Sequence, residues 1–239
     1  MNRQIRFLAF ILACTLSHAQ TPAVNRPAFD VATIKPSDPA KNPGAGSGWS
    51  TSGSSLKIFG TLHTFIKQAY GIEDTQISGG PNWLDRDMFE INAKASSPDF
   101  PRVLWLMLQS LLAERFKLAV HTETRQLPVY SLTVAKGGSK LRRPDAGVGS
   151  TSMGPTLIRG TMDTDRLARS LTSILGRTVI DNTGLKDAWH FSLTWAPEGD
   201  TTKPSLFTAI QEQLGLKLES TKGPVQVYVV DHADKPSEN

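Results

Sequence analysis

The chain has 239 residues, a formal net charge of +4 and a single cysteine. This length supplies one or two domains with a packed core. Basic residues are spread among acidic ones, and this argues against nucleic acid as a partner. No segment reaches the roughly 20 apolar residues that a membrane-spanning helix needs, so we expect no transmembrane segment.

The first 19 residues have the pattern of a secretory signal peptide. Arg3 and Arg6 precede a short apolar core, and a small-x-small cleavage site ends at Ala19. Cleavage there removes the two arginines and Cys14, which lowers the net charge from +4 to +2 and leaves no disulfide. We therefore expect an exported protein, periplasmic or extracellular. An alternative interpretation makes Cys14 a lipid anchor, because Ile11–Cys14 loosely resembles a lipobox.

Residues 20–55 predict an N-terminal strand followed by a loop. Phe29–Lys35 alternates as a strand does, Pro36 is expected to end it, and a stretch rich in glycine, serine and proline follows. Trp49 is a large aromatic side chain within that loop. Because an exposed tryptophan is costly, we expect Trp49 either to dock on its own domain or to contact a partner. It is the one candidate partner-contact residue.

Residues 56–136 and 156–233 have similar patterns. Leu112–Val120 followed by Pro128–Tyr130 recurs as Ile210–Leu218 followed by Pro224–Gln226. Each copy predicts a short leading strand, then helix, strand, helix and two strands joined by a turn. We expect an α+β fold of two similar helix-strand-helix-strand-strand repeats, with the helices packed on mostly antiparallel sheets.

Helix signals and polar connectors complete this division. Gly71 and Gly176 stand where helices are expected to stop, and Asp163 is positioned to cap the first helix of the second repeat. The apolar face expected for that helix consists of Leu167, Leu171, Ile174 and Leu175. Residues 137–155 are interpreted as a linker, and residues 234–239 as a polar tail.

Six blocks of the sequence carry a family resemblance: Phe29–Pro36, Ile77–Asp85, Leu111–Leu118, Pro128–Tyr130, Val179–Leu185 and Val230–Asn239. Together they resemble the soil-associated protein family, a set of exported paralogues abundant in acidobacteria. The resemblance implies export and a domain of unknown function, which in some relatives looks attached to sensor modules of the beta-lactam-sensor type. The paired short units also look like the small N-terminal modules of secretins and TonB-dependent receptors, which bind protein partners.

No catalytic or metal-binding pattern is visible. The histidines lack metal-ligand spacing. His121 and His232 are expected on strands that occupy related places in the two repeats, so the fold could still bring these two side chains close together. Paired acids suit glycoside hydrolysis, but capping and turn roles explain the acidic clusters here. Ser54–Lys57 matches a Ser-x-x-Lys pattern without the helix it requires. The residues considered were His63, His121, His190 and His232, with the acids Asp85, Asp87, Glu90, Asp163 and Asp165.

These observations favour an exported, non-catalytic binding or sensing module at the cell envelope. Its expected partner is an envelope protein or an extracellular ligand, and we predict no catalytic residue, cofactor or metal site. The alternative is an envelope hydrolase whose site is not recognisable from sequence, and a third interpretation is a purely structural or matrix protein. An enzyme predicts a deep pocket with converging titratable groups. A binding module predicts an exposed apolar patch or a free sheet edge.

Overall fold

The computed structural model describes residues 26–37, 47–96, 103–144, 151–197, 199–200 and 203–237. The predicted signal peptide and Cys14 lie outside the described residues, as does part of the predicted N-terminal loop. Within the described ranges, helices and three mostly antiparallel sheets form an α+β fold, which confirms the expected class. None of the described helices combines the length and the apolar character needed to cross a bilayer.

The helices are α1 Leu62–Tyr70, α2 Leu104–Arg115, α3 Thr164–Leu175 and α4 Leu206–Ala209. A 3-10 turn at Asp74–Gln76 follows α1, and a π-helical turn at Ile210–Leu214 continues α4. The strands are β1 Val31–Ser37, β2 Gly48–Ser52, β3 Ser55–Thr61, β4 Ile77–Gly79, β5 Met88–Lys94, β6 Ala119–Val134, β7 Ser152–Gly154, β8 Leu157–Met162, β9 Val179–Asp181, β10 Trp189–Thr194 and β11 Leu216–His232.

The first outer sheet is antiparallel and has the strand order β1-β5-β3-β2. Two expectations fail here. Pro36 does not end β1 but lies within it, opposite Phe89. An edge strand tolerates proline because one side of its backbone has no ladder partner. Residues 48–52, expected as loop, form β2 on the opposite edge, where Trp49 pairs with Ile58 of β3.

The second outer sheet has the order β10-β8-β7 and is also antiparallel. Its edge strand β7 lies in the segment interpreted as a linker, and it pairs with β8. On the other edge, Arg142 from the same segment forms an isolated bridge with His190. Part of the connector between the two halves is therefore built into this sheet.

The central sheet has the order β4-β11-β6-β9 and draws strands from both halves of the chain. The long strands β6 and β11 run antiparallel along almost their whole lengths. The short strand β4 lies parallel to β11, and β9 lies parallel to β6. Each short strand thus pairs with the long strand of the other half, so the halves share one sheet.

The hairpins predicted at the end of each half are wrong. Each expected pair of strands is a single long strand, and its antiparallel partner comes from the other half. Pro128 and Pro224 lie in the expected turns between the two strands of each pair. The amide of Tyr130 bonds to Thr178 outside the β6–β11 ladder, and alternate residues of a strand point the same way. The nitrogen of Pro128 therefore also faces away from β11. In β11, the Gln226 carbonyl accepts a hydrogen bond from the Gln76 side chain, outside the β6–β11 ladder. Pro224, two residues earlier, therefore faces away from β6 in the same way. Neither proline removes a ladder hydrogen bond.

The ends of α1 and α3 confirm the local helix signals. The Asp163 side chain accepts a hydrogen bond from the backbone N–H of Arg166, as a helix cap does. Gly71 and Gly176 end their helices in the left-handed region, at φ 62° and 60°. Glycine adopts this conformation without steric cost, which explains why these positions stop the helices.

Two apolar cores lie against the same face of the central sheet. The first joins the first outer sheet, α1 and α2 to Val230 near the end of β11. The second joins the second outer sheet, α3 and α4 to Leu132 of β6. Because β6 belongs to the first half by sequence but supports the second core, residues 56–136 do not pack as a separate unit.

Candidate functional site

Trp49 packs on its own domain. Its ring meets that of Trp105 in α2 edge-on, with the ring centroids 5.1 Å apart. Its position opposite the buried Ile58 places it on the helix-facing side of the first outer sheet. The side chain is still 47% exposed because β2 is an edge strand. Packing on its own domain is one of the two roles expected for Trp49. A partner contact stays a prediction, because about half of the side chain is exposed.

His63 is the centre of a charged cluster at the start of α1. Its Nδ1 lies 2.5 Å from a carboxylate oxygen of Asp85, and its Nε2 lies 3.2 Å from one of Asp74. The second contact lacks hydrogen-bond geometry, so Nε2 is buried without a true partner. The ammonium of Lys67 donates to Asp74 and, as the largest cause, lowers the pKa of that carboxyl. These contacts tie α1 to the 3-10 turn and to the loop before β5.

His121 forms part of a charged network on the central sheet. Its Nδ1 lies 2.8 Å from Asp231 of β11, and its Nε2 lies 3.2 Å from Glu123. The hydrogen bond with Asp231, followed by that with Glu123, raises the pKa of His121. Arg125 continues the network by donating to Glu123 and to the Ser78 hydroxyl of β4. The imidazole is about half exposed, and carboxylates occupy both of its nitrogens, so no ring nitrogen is free to act as a base.

His121 and His232 do not converge. His232 lies opposite Ala119 after a register shift in β11, and its Nε2 is 3.2 Å from Asp234. His190 meets Arg142 through the backbone. Among the described residues, no group of three or more histidine, cysteine or acidic side chains is arranged to hold a metal ion.

The acidic residues considered as catalytic pairs have separate contacts. Asp85 lies on His63, and Asp87 pairs with Lys235 at 2.5 Å. Glu90 accepts from Asn92 and pairs with Lys57, and the hydrogen bond from Asn92 is the largest cause that lowers the pKa of Glu90. In α3, Asp163 caps the helix and Asp165 contacts Arg169. No two of these acids face each other across a cleft of the described residues.

Asp181, the last residue of β9, accepts hydrogen bonds from two threonine hydroxyls. The hydroxyls of Thr164 and Thr183 donate to its carboxylate at 2.6 and 2.7 Å, and the Thr183 amide donates at 2.9 Å. Burial, the largest single influence, raises the pKa of Asp181, but these hydrogen bonds together outweigh it and lower the pKa. Thr164 is almost fully buried. The group therefore links the start of α3 to the end of β9.

Three of the surface cavities are open to solvent. One, of about 290 Å³, lies beside α4 and is lined by Phe207 and Lys217 among others. A second, of about 390 Å³, lies on the outer face of the first outer sheet. The third, of about 430 Å³, lies between β7 and α3, and we call it the β7–α3 groove. It is lined by Met153, Gly154, Arg166, Arg169, Ser170, Ser173 and Ile174.

The β7–α3 groove combines a strand edge with exposed apolar side chains. Met153 is 47% exposed and Ile174 is 40% exposed. The Ser170 hydroxyl donates to the Met153 sulfur at 3.6 Å and so joins the strand to the helix. No described strand pairs with the outer side of β7, and the Arg166 guanidinium has no partner among the described residues.

Sequence reasoning missed this groove for two reasons. Residues 137–155 were interpreted as a linker, so β7 and Met153 were not expected in a sheet. Ile174 was expected on the buried face of α3, but only Leu167, Ala168 and Leu171 are fully buried beyond the first residue of that helix. Burial alternates along the neighbouring strand β8, Leu157–Met162, but the three residues of β7 are exposed or half-buried and carry no alternation that a sequence pattern could show.

The fold and its described surfaces define an α+β protein with open grooves and exposed strand edges. The chain belongs to the family described as protein of unknown function DUF3738, whose model matches residues 63–233. This match confirms the expected domain of unknown function. No curated protein matches the chain, and no solved structure matches it.

Proposed function

We propose that this protein is an exported, non-catalytic binding or sensing module of the cell envelope. The observation that carries the proposal is the β7–α3 groove, where a free strand edge, exposed apolar side chains and an unpaired guanidinium meet. A groove between an edge strand and a helix suits an extended segment of a partner protein.

Strand addition explains how such a segment would bind. Its backbone would pair with the outer side of β7, and every second side chain would point toward α3. Met153 and Ile174 provide the apolar contact, and their burial would release ordered water. Because β7 has only three residues, its backbone pairing is short, so these side chains supply much of the affinity.

The arginines indicate the charge of the partner segment. Arg169 is already paired with Asp165, which is four residues earlier on α3. Arg166 has no such partner among the described residues and lines the same groove. A guanidinium pairs well with a carboxylate in two-pronged geometry. We therefore expect the segment to be extended and apolar, with an acidic residue that reaches Arg166.

The placement of the titratable groups supports a non-catalytic role. The His121 network lies on the open surface of the central sheet, about half exposed, and lines none of the grooves described above. A catalytic site needs a nucleophile or base beside a cavity that holds the reacting atoms. None of the three grooves brings a histidine together with an acid.

One observation favours the alternative of an envelope hydrolase. The contact between His63 and Asp85, at 2.5 Å, is of the kind that orients a catalytic imidazole. The other ring nitrogen faces Asp74, so a nucleophile would have to displace that carboxylate. Hydrolysis of generic ester and glycoside substrates that is lost in His63→Ala and kept in His121→Ala would favour this alternative.

Two further statements belong to the proposal. The resemblance to exported soil-associated proteins and to partner-binding secretin and TonB-receptor modules supports a role at the envelope. The two halves are proposed to be copies of one unit. Tyr130 of β6 pairs with Val179 of β9, and Tyr228 of β11 pairs with Ile77 of β4, so each long strand takes a short parallel partner from the other half.

Affinity capture from an envelope extract tests the groove. The mature protein is compared with Met153→Lys, Ile174→Lys and the matched control Leu106→Lys, which changes a side chain of similar exposure on α2. We expect one or more envelope proteins to be captured by the wild type and by the control, and to be lost from both groove variants. Identical capture by all four proteins would refute the groove.

Two additional measurements test the remaining parts. Loss of capture in Trp49→Ala, with capture retained in the groove variants, would move the contact surface to β2. The N-terminus of the protein purified from its native envelope tests export, because cleavage after Ala19 leaves Gln20 first. A chain that starts at Met1 and stays in the cytoplasm would contradict the proposal of export.

A further inference from the structure

The outer face of the first outer sheet exposes a row of lysines and small polar side chains. Strand alternation puts one set of residues on this side, while Ile34, Ile58 and Ile91 point inward to the first core. No described helix or strand covers the outward set. We call this surface the lysine face; it consists of Val31, Thr33, Lys35, Ser50, Ser52, Ser55, Lys57, Glu90, Asn92 and Lys94.

The register brings the lysines together from three strands. Lys94 of β5 lies opposite Ser55 of β3, and Lys57 of β3 lies opposite Asn92 of β5. Lys94 and Lys57 are thus diagonal neighbours, about 7–8 Å apart at the backbone. Lys35 of β1 extends the row across the sheet, opposite Glu90. The open groove of about 390 Å³ runs over this face.

The charge of the lysine face is positive after its one acid is counted. Glu90 is held by a hydrogen bond from Asn92 at 2.8 Å and by Lys57 at 3.3 Å. Lys94 makes no ion pair with any described residue, and Lys35 acts on Glu90 only at longer range. A second negative partner is therefore missing from a surface that has three cations.

We propose that the lysine face binds an extended anionic glycan. Ammonium groups on flexible stems act as adaptable point charges, which suits carboxylate or sulfate groups spaced along a sugar chain. The serine and threonine hydroxyls and the Asn92 amide are small hydrogen-bonding groups that suit sugar hydroxyls. Four strands span about 15 Å across the face, so a chain of several sugars lies along it. This surface is distinct from the β7–α3 groove and does not rest on it.

The same surface fits other polyanions less well. Proteins bind single-stranded nucleic acid with aromatic side chains on which the bases stack. On this side of the sheet the ring of Phe59 covers Gly48 at the end of the face, so it is not a free stacking platform among the lysines. A membrane surface requires apolar side chains that enter the lipid, and Val31 is the one large apolar side chain of the face that is well exposed. The polar, nearly flat surface favours a hydroxyl-rich ligand.

Affinity electrophoresis of the mature chain through gels that contain a polysaccharide tests the proposal. The probes are polygalacturonate, dextran sulfate and neutral dextran. We expect retardation by the two anionic probes alone, with affinity that falls as salt is added. Lys57→Gln and Lys94→Gln should each weaken binding by about threefold, and the double variant by about tenfold.

The control removes the same charge elsewhere. Lys136 and Lys222 are exposed and lie outside the first outer sheet, so the double variant Lys136→Gln/Lys222→Gln has the same net charge as the test variant. Circular dichroism and thermal unfolding check that both variants are folded. Equal weakening in the two double variants, or equal binding of neutral dextran, would overturn the proposal. Tighter, lysine-dependent binding of an oligonucleotide or of anionic vesicles would replace the glycan with that ligand.

Discussion

Replacement of Leu132 tests whether the two halves share one sheet. Leu132 is fully buried, comes from the first half of the chain, and packs in the second core. Truncation of such a leucine to alanine costs about 2–5 kcal/mol, through lost apolar contact and a residual cavity. Since whole domains have a free energy of unfolding of about 5–15 kcal/mol, this loss is easily measured.

The assay is urea unfolding followed by circular dichroism and tryptophan fluorescence. A loss of about 3 kcal/mol with an m-value of about 2 kcal/mol/M lowers the unfolding midpoint by about 1.5 M. The matched control, Leu106→Ala, removes an exposed leucine of α2 and should cost less than about 1 kcal/mol. The two signals should change together, because β6 and β11 pass through both cores.

A double-mutant cycle with Leu218→Ala makes the test specific to the shared sheet. Leu218 of β11 lies directly opposite Leu132 in the β6–β11 register. Opposite side chains of neighbouring strands interact by about 0.2–1 kcal/mol, so we expect a coupling near the upper end of this range for two leucines. If the halves ended in local hairpins, the two residues would be in separate sheets. Additive losses, or two separate unfolding transitions, would refute the shared sheet.

Three other changes probe individual contacts. Asp231→Asn should lower the pKa of His121, which NMR titration measures, and an unchanged titration would contradict the contact. Because the fold raises this pKa, the His121–Asp231 pair stabilises the protein at pH values below the pKa that His121 has in the unfolded chain. That stabilisation is lost as the pH rises through the pKa of His121 in the folded protein. Thr164→Val removes a buried hydroxyl donor to a carboxylate, so we expect about 1–3 kcal/mol lower stability by urea unfolding, and a neutral result would show that the hydroxyl is dispensable. Gly215→Ala should lower the thermal unfolding temperature more than Gly71→Ala does. Both glycines have a positive φ, but only at Gly215 would an added Cβ meet a backbone carbonyl, that of Gly138. Equal losses in the two variants would contradict that close approach.

Local signals in the sequence predicted local structure well. Asp163 and Gly71 were identified as helix ends because a cap and a left-handed glycine depend on neighbours within a few residues. The α+β class followed from the same helix and strand periods. The shared sheet could not be derived in this way. Pro128 was interpreted as part of a turn, and only the distant partner strand shows that its missing N–H faces away from the ladder.

The candidate surfaces show the same limit. The sequence predicts Trp49 as an aromatic residue in a loop, but its contact with Trp105 depends on how β2 packs beside α2. No sequence pattern distinguishes Met153, although it is as exposed as Trp49 and lies opposite Ile158 just as Trp49 lies opposite Ile58. An edge strand is recognised by the absence of a neighbour, and a sequence does not encode that absence locally.

The shared sheet also constrains how a sensing role would work. The β7–α3 groove belongs to the second outer sheet and the lysine face to the first, and the same two long strands run beneath both cores. A ligand shifts a conformational equilibrium only through different affinities for two states. Each long strand is held by its partner through most of its length, so a second arrangement would require the loss of many ladder bonds. We therefore expect binding at the two surfaces to be independent. A sensing role would then arise from bringing a glycan and an envelope protein onto one chain, where each bound partner raises the effective concentration of the other.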